Sequence, residues 1–249
     1  LEAFDGKNHL FQAHFWPFFT ECLYSERIVM FSPLTLLRLH VEAVWYVRLT
    51  HDFELVRDGV QPPWKLLVAE VAGERVSIWR PDIAQPEREA LRLRIDEALS
   101  PQHASQPDIH REVALVQTAT PHITLDASQR IARHLEPSEH ALLHLFYPDA
   151  PDDDFQPEQE PFVGVLHAER LLCLAHSSRR TTEACELGIE THAQARRRGF
   201  ALAATLVWTD LVRREGLLPL YSALATNTAS LHLAEAAGYR PFACVATIS

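Results

Sequence analysis

The sequence predicts an α/β protein, built on a mixed α+β sheet, whose best-defined unit lies in the C-terminal half. Three observations carry that reading. Residues 162–166, 171–175 and 185–191 are short runs of β-formers separated by turn residues, as in an antiparallel meander. Residues 200–214 are apolar almost all round and end in Arg213 and Arg214 before Gly216, the pattern of a buried helix with a complemented C-terminus. Residues 218–225 read as a further strand, Asn227 can cap a second helix running to Ala237, Gly238 stops it, and residues 242–248 close with a strand. The order is β-β-β-α-β-α-β.

The N-terminal half is a smaller α+β module. Residues 36–47 mix helical and alternating spacing and leave their element type open. Residues 66–71 and 75–79 form a hairpin through Ala72-Gly73-Glu74, and residues 86–99 place Leu91, Ile95, Ala98 and Leu99 on one helical face. Residues 100–109 are rich in Pro, Gln, Ser and His without periodicity and read as a linker. Beyond it, residues 122–125 suggest a strand, Asp126 a cap for a helix through Leu135, and Pro137 the start of another with Leu142, Leu143 and Phe146 inward. The expected division is residues 1–33 as an extension, 34–118 as module and linker, and 119–249 as the principal domain. The chain begins at Leu1 and its one methionine, Met30, precedes a new periodic segment, so residues 1–29 are expected to lie outside the natural product.

Composition narrows the function. Of 249 residues, 47% are hydrophobic and 22% charged, the balance of a packed globular protein. The net charge of -10 opposes general nucleic-acid binding, so an anionic ligand needs a local basic patch. The apolar run from Ile28 to Val47 is interrupted by Arg38, His40 and Glu42, which excludes it as a membrane span. Cys22, Cys173, Cys185 and Cys244 are scattered without a C-x-x-C pair, suggesting neither zinc nor a disulfide framework, and a cytoplasmic setting is expected. His140 and His144 have i, i+4 spacing but no third ligand, so no metal is expected.

The chemistry-bearing segment is Arg196-Arg197-Arg198-Gly199-Phe200-Ala201, placed where a strand ending at Thr191 gives way to a helix. The first turn of a helix presents unpaired N–H groups, and a glycine there lets a diphosphate approach the backbone. Three arginines supply a positive field in an otherwise acidic protein.

This segment resembles the cofactor signature Q/R-x-x-G-x-G/A of the GNAT superfamily of N-acetyltransferases, matched by Arg196, Gly199 and Ala201. The run from Asn227 through Ser230 and Leu233 to Gly238-Tyr239 is similar to that family's second signature, in which an Asn opens a helix ending in Gly and an aromatic. Residues 186–191 resemble its fourth strand. The resemblance spans about residues 119–249, and the module before it faintly resembles a unit attached to some bacterial members.

The resemblance implies acetyl-CoA as cofactor, held by Ile189, Thr191, Arg196, Arg197, Arg198, Gly199, Phe200, Ala201, Asn227 and Ser230 between strands that splay apart. It implies direct attack of a primary amine on the thioester, with Glu190 as first choice for general base and Glu186 as a relay through water, since alternation sends both to one face. The family's acidic Tyr, seven residues after the helix-opening Asn, is Ala234 here, so Tyr221, Ser222 or Ser230 stands in or the thiolate leaves unaided. The implied acceptor is a small-molecule or peptide amine, with no nucleic acid or membrane partner, in a monomer or homodimer. The alternative is a degenerate domain that binds coenzyme A or a partner without turnover.

Overall fold

Ser32 opens the first helix: its Oγ accepts the Thr35 N–H at 3.1 Å, and Pro33 follows at the first helical position. The resulting helix α1, Pro33–Trp45, ends where Tyr46 turns left-handed. Leu36, Leu37, Leu39, His40, Val41 and Ala43 are all buried, and burial around most of the helix explains why its spacing was ambiguous in the sequence. A computed structural model describes residues 31–100, 106–148 and 156–249. The expectation for residues 1–29 lies outside the described residues.

The hairpin forms as expected. Strands β1, Leu66–Val71, and β2, Glu74–Trp79, meet through a two-residue turn in which Ala72 and Gly73 both have positive φ. The helix expected over residues 86–99 is two short ones, α2, Gln85–Arg92, and α3, Ile95–Leu99, with Leu91 and Ala98 buried.

Residues 109–117, expected to be linker and unassigned chain, form the nine-residue strand β3, Ile109–Gln117. Its polar start, His110-Arg111-Glu112, hid it. No strand forms at residues 122–125; Thr124, rather than Asp126, caps a short helix α4, Leu125–Gln129, whose chain then turns into strand β4, Arg133–His134. A 3-10 turn at Pro137–Glu139 precedes α5, Ala141–Phe146, which buries Leu143 and Phe146.

The C-terminal order follows expectation: β5, Val163–His167; β6, Arg170–Arg180; β7, Ala184–Thr191; α6, Phe200–Arg214; β8, Leu218–Leu224; α7, Thr228–Ala236; and β9, Tyr239–Ile248. Among the described residues the nine strands join one mixed sheet in the order β2-β1-β9-β3-β8-β7-β6-β5-β4. Thus β3 stands between β9 and β8, and the module's hairpin extends the same sheet by pairing β1 with β9.

Alternation along the strands gives the sheet two apolar faces. On one, α1 covers Ala69, Ala114, Val116, Ala184, Leu218, Leu220, Ala243 and Val245. On the other, α6 covers Leu115, Val165, Cys173, Cys185, Leu187, Tyr221 and Ala223. The turn after α7 locks onto the sheet at Gly238, whose carbonyl accepts the amides of Thr118 and Ala119. Its φ of 83° and the closeness of the Ala119 carbonyl oxygen leave no room there for a β-carbon.

Candidate active site

The site begins where two parallel strands stop pairing. β7 and β8 are in register only over Ala184↔Leu218, Cys185↔Pro219 and Glu186↔Leu220. Past that point β7 runs on to Thr191 and β8 to Leu224 with no further backbone pairing between them. A cleft therefore opens between them, with Glu186 at its closed end.

β7 leads directly to the basic segment. After Thr191 a 3-10 turn at Ala193–Ala195 brings the chain to Arg196, whose Nε donates to the Thr191 carbonyl at 3.2 Å. Arg197 (φ 61°) and Gly199 (φ 79°) are both left-handed, and this pair turns the chain into α6. Gly199 is the N-cap, so no side chain caps the helix, and nothing lies within 4 Å of where its β-carbon would be. Arg196, Arg197, Arg198 and Gly199 are exposed, with the Arg198 guanidinium 4.7 Å above the Phe200 ring. The amides of the first turn thus face open space beside three cations, which is the donor set a diphosphate requires.

At the closed end of the cleft lies a buried polar array. Glu186 Oε1 accepts the Ser222 N–H at 2.5 Å, while Oε2 has no hydrogen bond among the described residues and stands 3.9 Å from His40 Nδ1, which has none among them either. His40 comes from α1 and bonds through Nε2 to Glu112 Oε1 on β3 at 3.0 Å. The other Glu112 oxygen is 3.7 Å from Nε2 of His110, which is half exposed. Burial raises the proton affinity of the Glu186 carboxyl, and the facing His40 and the Ser222 donor only partly offset it. Burial also works against the Glu112 carboxylate, but the imidazoles of His110 and His40 outweigh it and hold Glu112 down at about 2.

Glu190 occupies a different setting. It is exposed and accepts the Tyr147 hydroxyl at 2.6 Å. Burial and the neighbouring carboxylate push the Tyr147 phenol far above its ordinary value, so it remains a donor. Four residues along a strand separate Glu190 from Glu186 by about 13 Å, too far for one bridging water. Ile189 points to the α6 face, and Thr191 Oγ1 donates to Cys173 Sγ at 3.1 Å.

Tyr221 lies on the α6 face of β8, opposite the face that carries Glu186. Its hydroxyl bonds Ser230 Oγ at 2.7 Å, and burial lifts its proton affinity to about 12. Asn227 caps α7 by accepting the Ser230 N–H at 3.1 Å, and Ala234, where the family places its Tyr, is buried. Sequence reasoning brought Glu186, the basic turn and the capped α7 together but missed His40, Glu112 and Tyr147. In the sequence His40 is a polar intrusion into an apolar run, and Glu112 lies three residues past the Pro- and Gln-rich stretch at residues 100–109.

Among the described residues no group of three or more His, Cys, Asp or Glu is placed to hold a metal ion, and no helix is long and apolar enough to cross a membrane. Cys173, Cys185 and Cys244 are free thiols. The acidic residues 152–154 lie outside the described residues.

A splayed pair of parallel strands followed by an uncapped, arginine-flanked helix start defines the class: an acyltransferase of mixed-sheet architecture. Residues 153–243 match the family described as GNAT acetyltransferase. No curated protein matches the chain. Among solved structures it is similar to an acetyltransferase from the GNAT family of Colwellia psychrerythraea, at 13% identity and a TM-score of 0.48, covering 80% of this chain and 78% of that one. It is also similar to a GCN5-related N-acetyltransferase-like protein from Streptococcus suis, at 14% identity and a TM-score of 0.43, covering 75% and 84%.

Proposed function

We propose that this protein moves an acetyl group from acetyl-CoA to a primary amine by direct attack. The observation that carries the reading is the open, uncapped start of α6 at Gly199, set at the mouth of the cleft between β7 and β8. The first-turn amides and Arg196, Arg197 and Arg198 would hold the diphosphate, and Asn227 and Ser230 border the β8 side. When bound, acetyl-CoA supplies an activated thioester. Burial and raised proton affinity favour Glu186 over Glu190 as the group that takes the proton from the incoming amine. Glu190, fixed by Tyr147 and exposed, is suited to attract the cationic acceptor. A small-molecule or peptide amine is the acceptor class that fits, acted on in the cytoplasm by a monomer or homodimer.

Gly199→Glu tests the site. A carboxylate and a strained left-handed backbone at the helix start should abolish acetyl-CoA binding in calorimetry, while circular dichroism shows the fold retained. Unchanged affinity would show the site to be misplaced. Ala234, buried where a tyrosine acid would stand, favours one second reading: a domain that binds coenzyme A without turnover. A thiol-release assay across amine pools separates the two, because binding without release supports the second.

A further inference from the structure

His40 is buried between two carboxylates, and one of them, Glu186, is the base of the reaction proposed above. We propose that His40 is a positioning residue of the transfer centre, an imidazolium anchored by Glu112 that faces Glu186 and holds it in its proton-accepting form, so that helix α1 of the N-terminal module completes the active site. This deepens the acetyl-transfer reading and rests on it.

Glu186 and Glu112 lie on one face of the sheet with β8 between their strands, and His40 spans them from α1. Glu112 Oε1 stands 3.0 Å from Nε2, and an ionised carboxylate can only accept, so Nε2 carries a hydrogen. Nδ1 stands 3.9 Å from Glu186 Oε2, and among the described residues neither atom has a hydrogen bond. A base must be ionised before it can take a proton from an amine. An ionised Oε2 facing a bare Nδ1 lone pair would set two acceptors against each other in a buried space. With a hydrogen on Nδ1, the same contact becomes an attraction between opposite charges. The state in which Glu186 is competent therefore has hydrogens on both His40 nitrogens. His40 neither gains nor loses a proton during transfer: the amine proton goes to Glu186 and returns to water when the product leaves the cleft, while both imidazole hydrogens stay in place. Burial works against a charge on His40, but its bond to Glu112 and the facing carboxylates of Glu112 and Glu186 outweigh it and raise its proton affinity. On Glu186 burial raises the proton affinity, and His40 is the foremost of the groups that oppose the rise, ahead of the Ser222 donor.

The other charged groups near the pair are engaged elsewhere. Arg179, opposite Glu186 on β6, is exposed, with its guanidinium 5.9 Å from the Tyr46 ring. On α1, Arg38 pairs with Glu42 at 3.0 Å and with Glu183, next to β7, at 3.7 Å. The His176 ring of β6 lies over Gly188, and Phe242 of β9 meets the His40 ring edge-on at 6.1 Å. Glu112 itself opposes ionisation of Glu186, but its charge is shared by the imidazoles of His110 and His40. On the α6 face, burial holds the Tyr221 and Tyr239 phenols protonated.

His40→Gln tests the clamp, because the amide keeps an N–H for Glu112 but carries no charge. The acid limb of the kcat profile should move up by about one pH unit, a loss of about tenfold below the limb that high pH restores. A purely structural histidine would instead cost the same at every pH; that result, or an unmoved limb, would overturn the proposal. A second readout needs no turnover. Long-range 1H–15N NMR of the wild-type protein at neutral pH should show hydrogens on both His40 nitrogens, and the titration midpoint of the ring should lie above the ordinary histidine range and fall in Glu186→Gln. A neutral ring, or a midpoint that Glu186→Gln leaves in place, would overturn the clamp whether or not His40→Gln folds. Absence of thiol release by the wild-type protein would count against the acetyl-transfer reading, leaving the NMR result to decide whether the clamp exists.

Discussion

Glu112 shows how one residue can be both a packing problem and a solution. Glu112 is 7% exposed beneath the largely apolar helix α1, a position tolerated only with partners. The two imidazoles supply them and depress its affinity for protons from the ordinary 4.5 to about 2. A depressed carboxyl contributes stability that is fully present above its unfolded value and is lost as pH falls through its folded value. Stability should therefore drain away between pH 4.5 and about 2 as this group is forced to protonate. Glu112→Gln removes one charge from a buried pair and should cost about 3 kcal/mol at neutral pH. The same variant should flatten the pH dependence of urea denaturation midpoints over that acid window. A mutant whose acid limb matches the wild type would mean that the carboxylate is not held as described.

The elements differ in how far the sequence revealed them. From β5 to β9 each element was legible because apolar period, turn chemistry and caps agreed. In α7 the Asn227 cap and the Gly238 stop bracket the helix, whereas the last strand starts at Tyr239 rather than Phe242 and β6 runs on to Arg180, past its expected end at residue 175. β3 was not legible, since a strand buried on both faces ought to read as a continuous apolar run, and His110, Arg111 and Glu112 interrupt it. Those interruptions are explained by partners far away in sequence: His40 lies 72 residues before Glu112, and Arg111 donates to the carbonyls of Ala98 and Glu97. The site divides in the same way. Backbone-built parts such as the Gly199 turn follow from local sequence, whereas the His40 array is a product of tertiary packing. At α7 the local reading yields a direct test. Asn227→Ala should lower stability by about 1 kcal/mol through loss of the cap, and Asn227→Asp should recover most of it. Thermal melts of both variants check this, and equal loss in the two would mean that the cap contributes nothing.

At the scale of the molecule, the sheet order determines what can fold alone. A chain starting at Ala119 would hold both GNAT signatures but lack β3, which stands between β9 and β8. Strand β9 would then have no neighbour, and two open edges would form where a buried pair of ladders had been. Adding residues 106–118 repairs the ladders but not the faces. Ala114, Val116, Leu218, Leu220, Ala243 and Val245 would remain uncovered without α1, and β9 would lose its pairing with β1. The module and the acyltransferase unit therefore share a core as well as a sheet, and they are expected to unfold together. Calorimetry of residues 31–249 should give a single transition whose calorimetric and van't Hoff enthalpies agree, with the 119–249 chain insoluble or unfolded. Two separated transitions, or a folded 119–249 fragment, would refute the shared core.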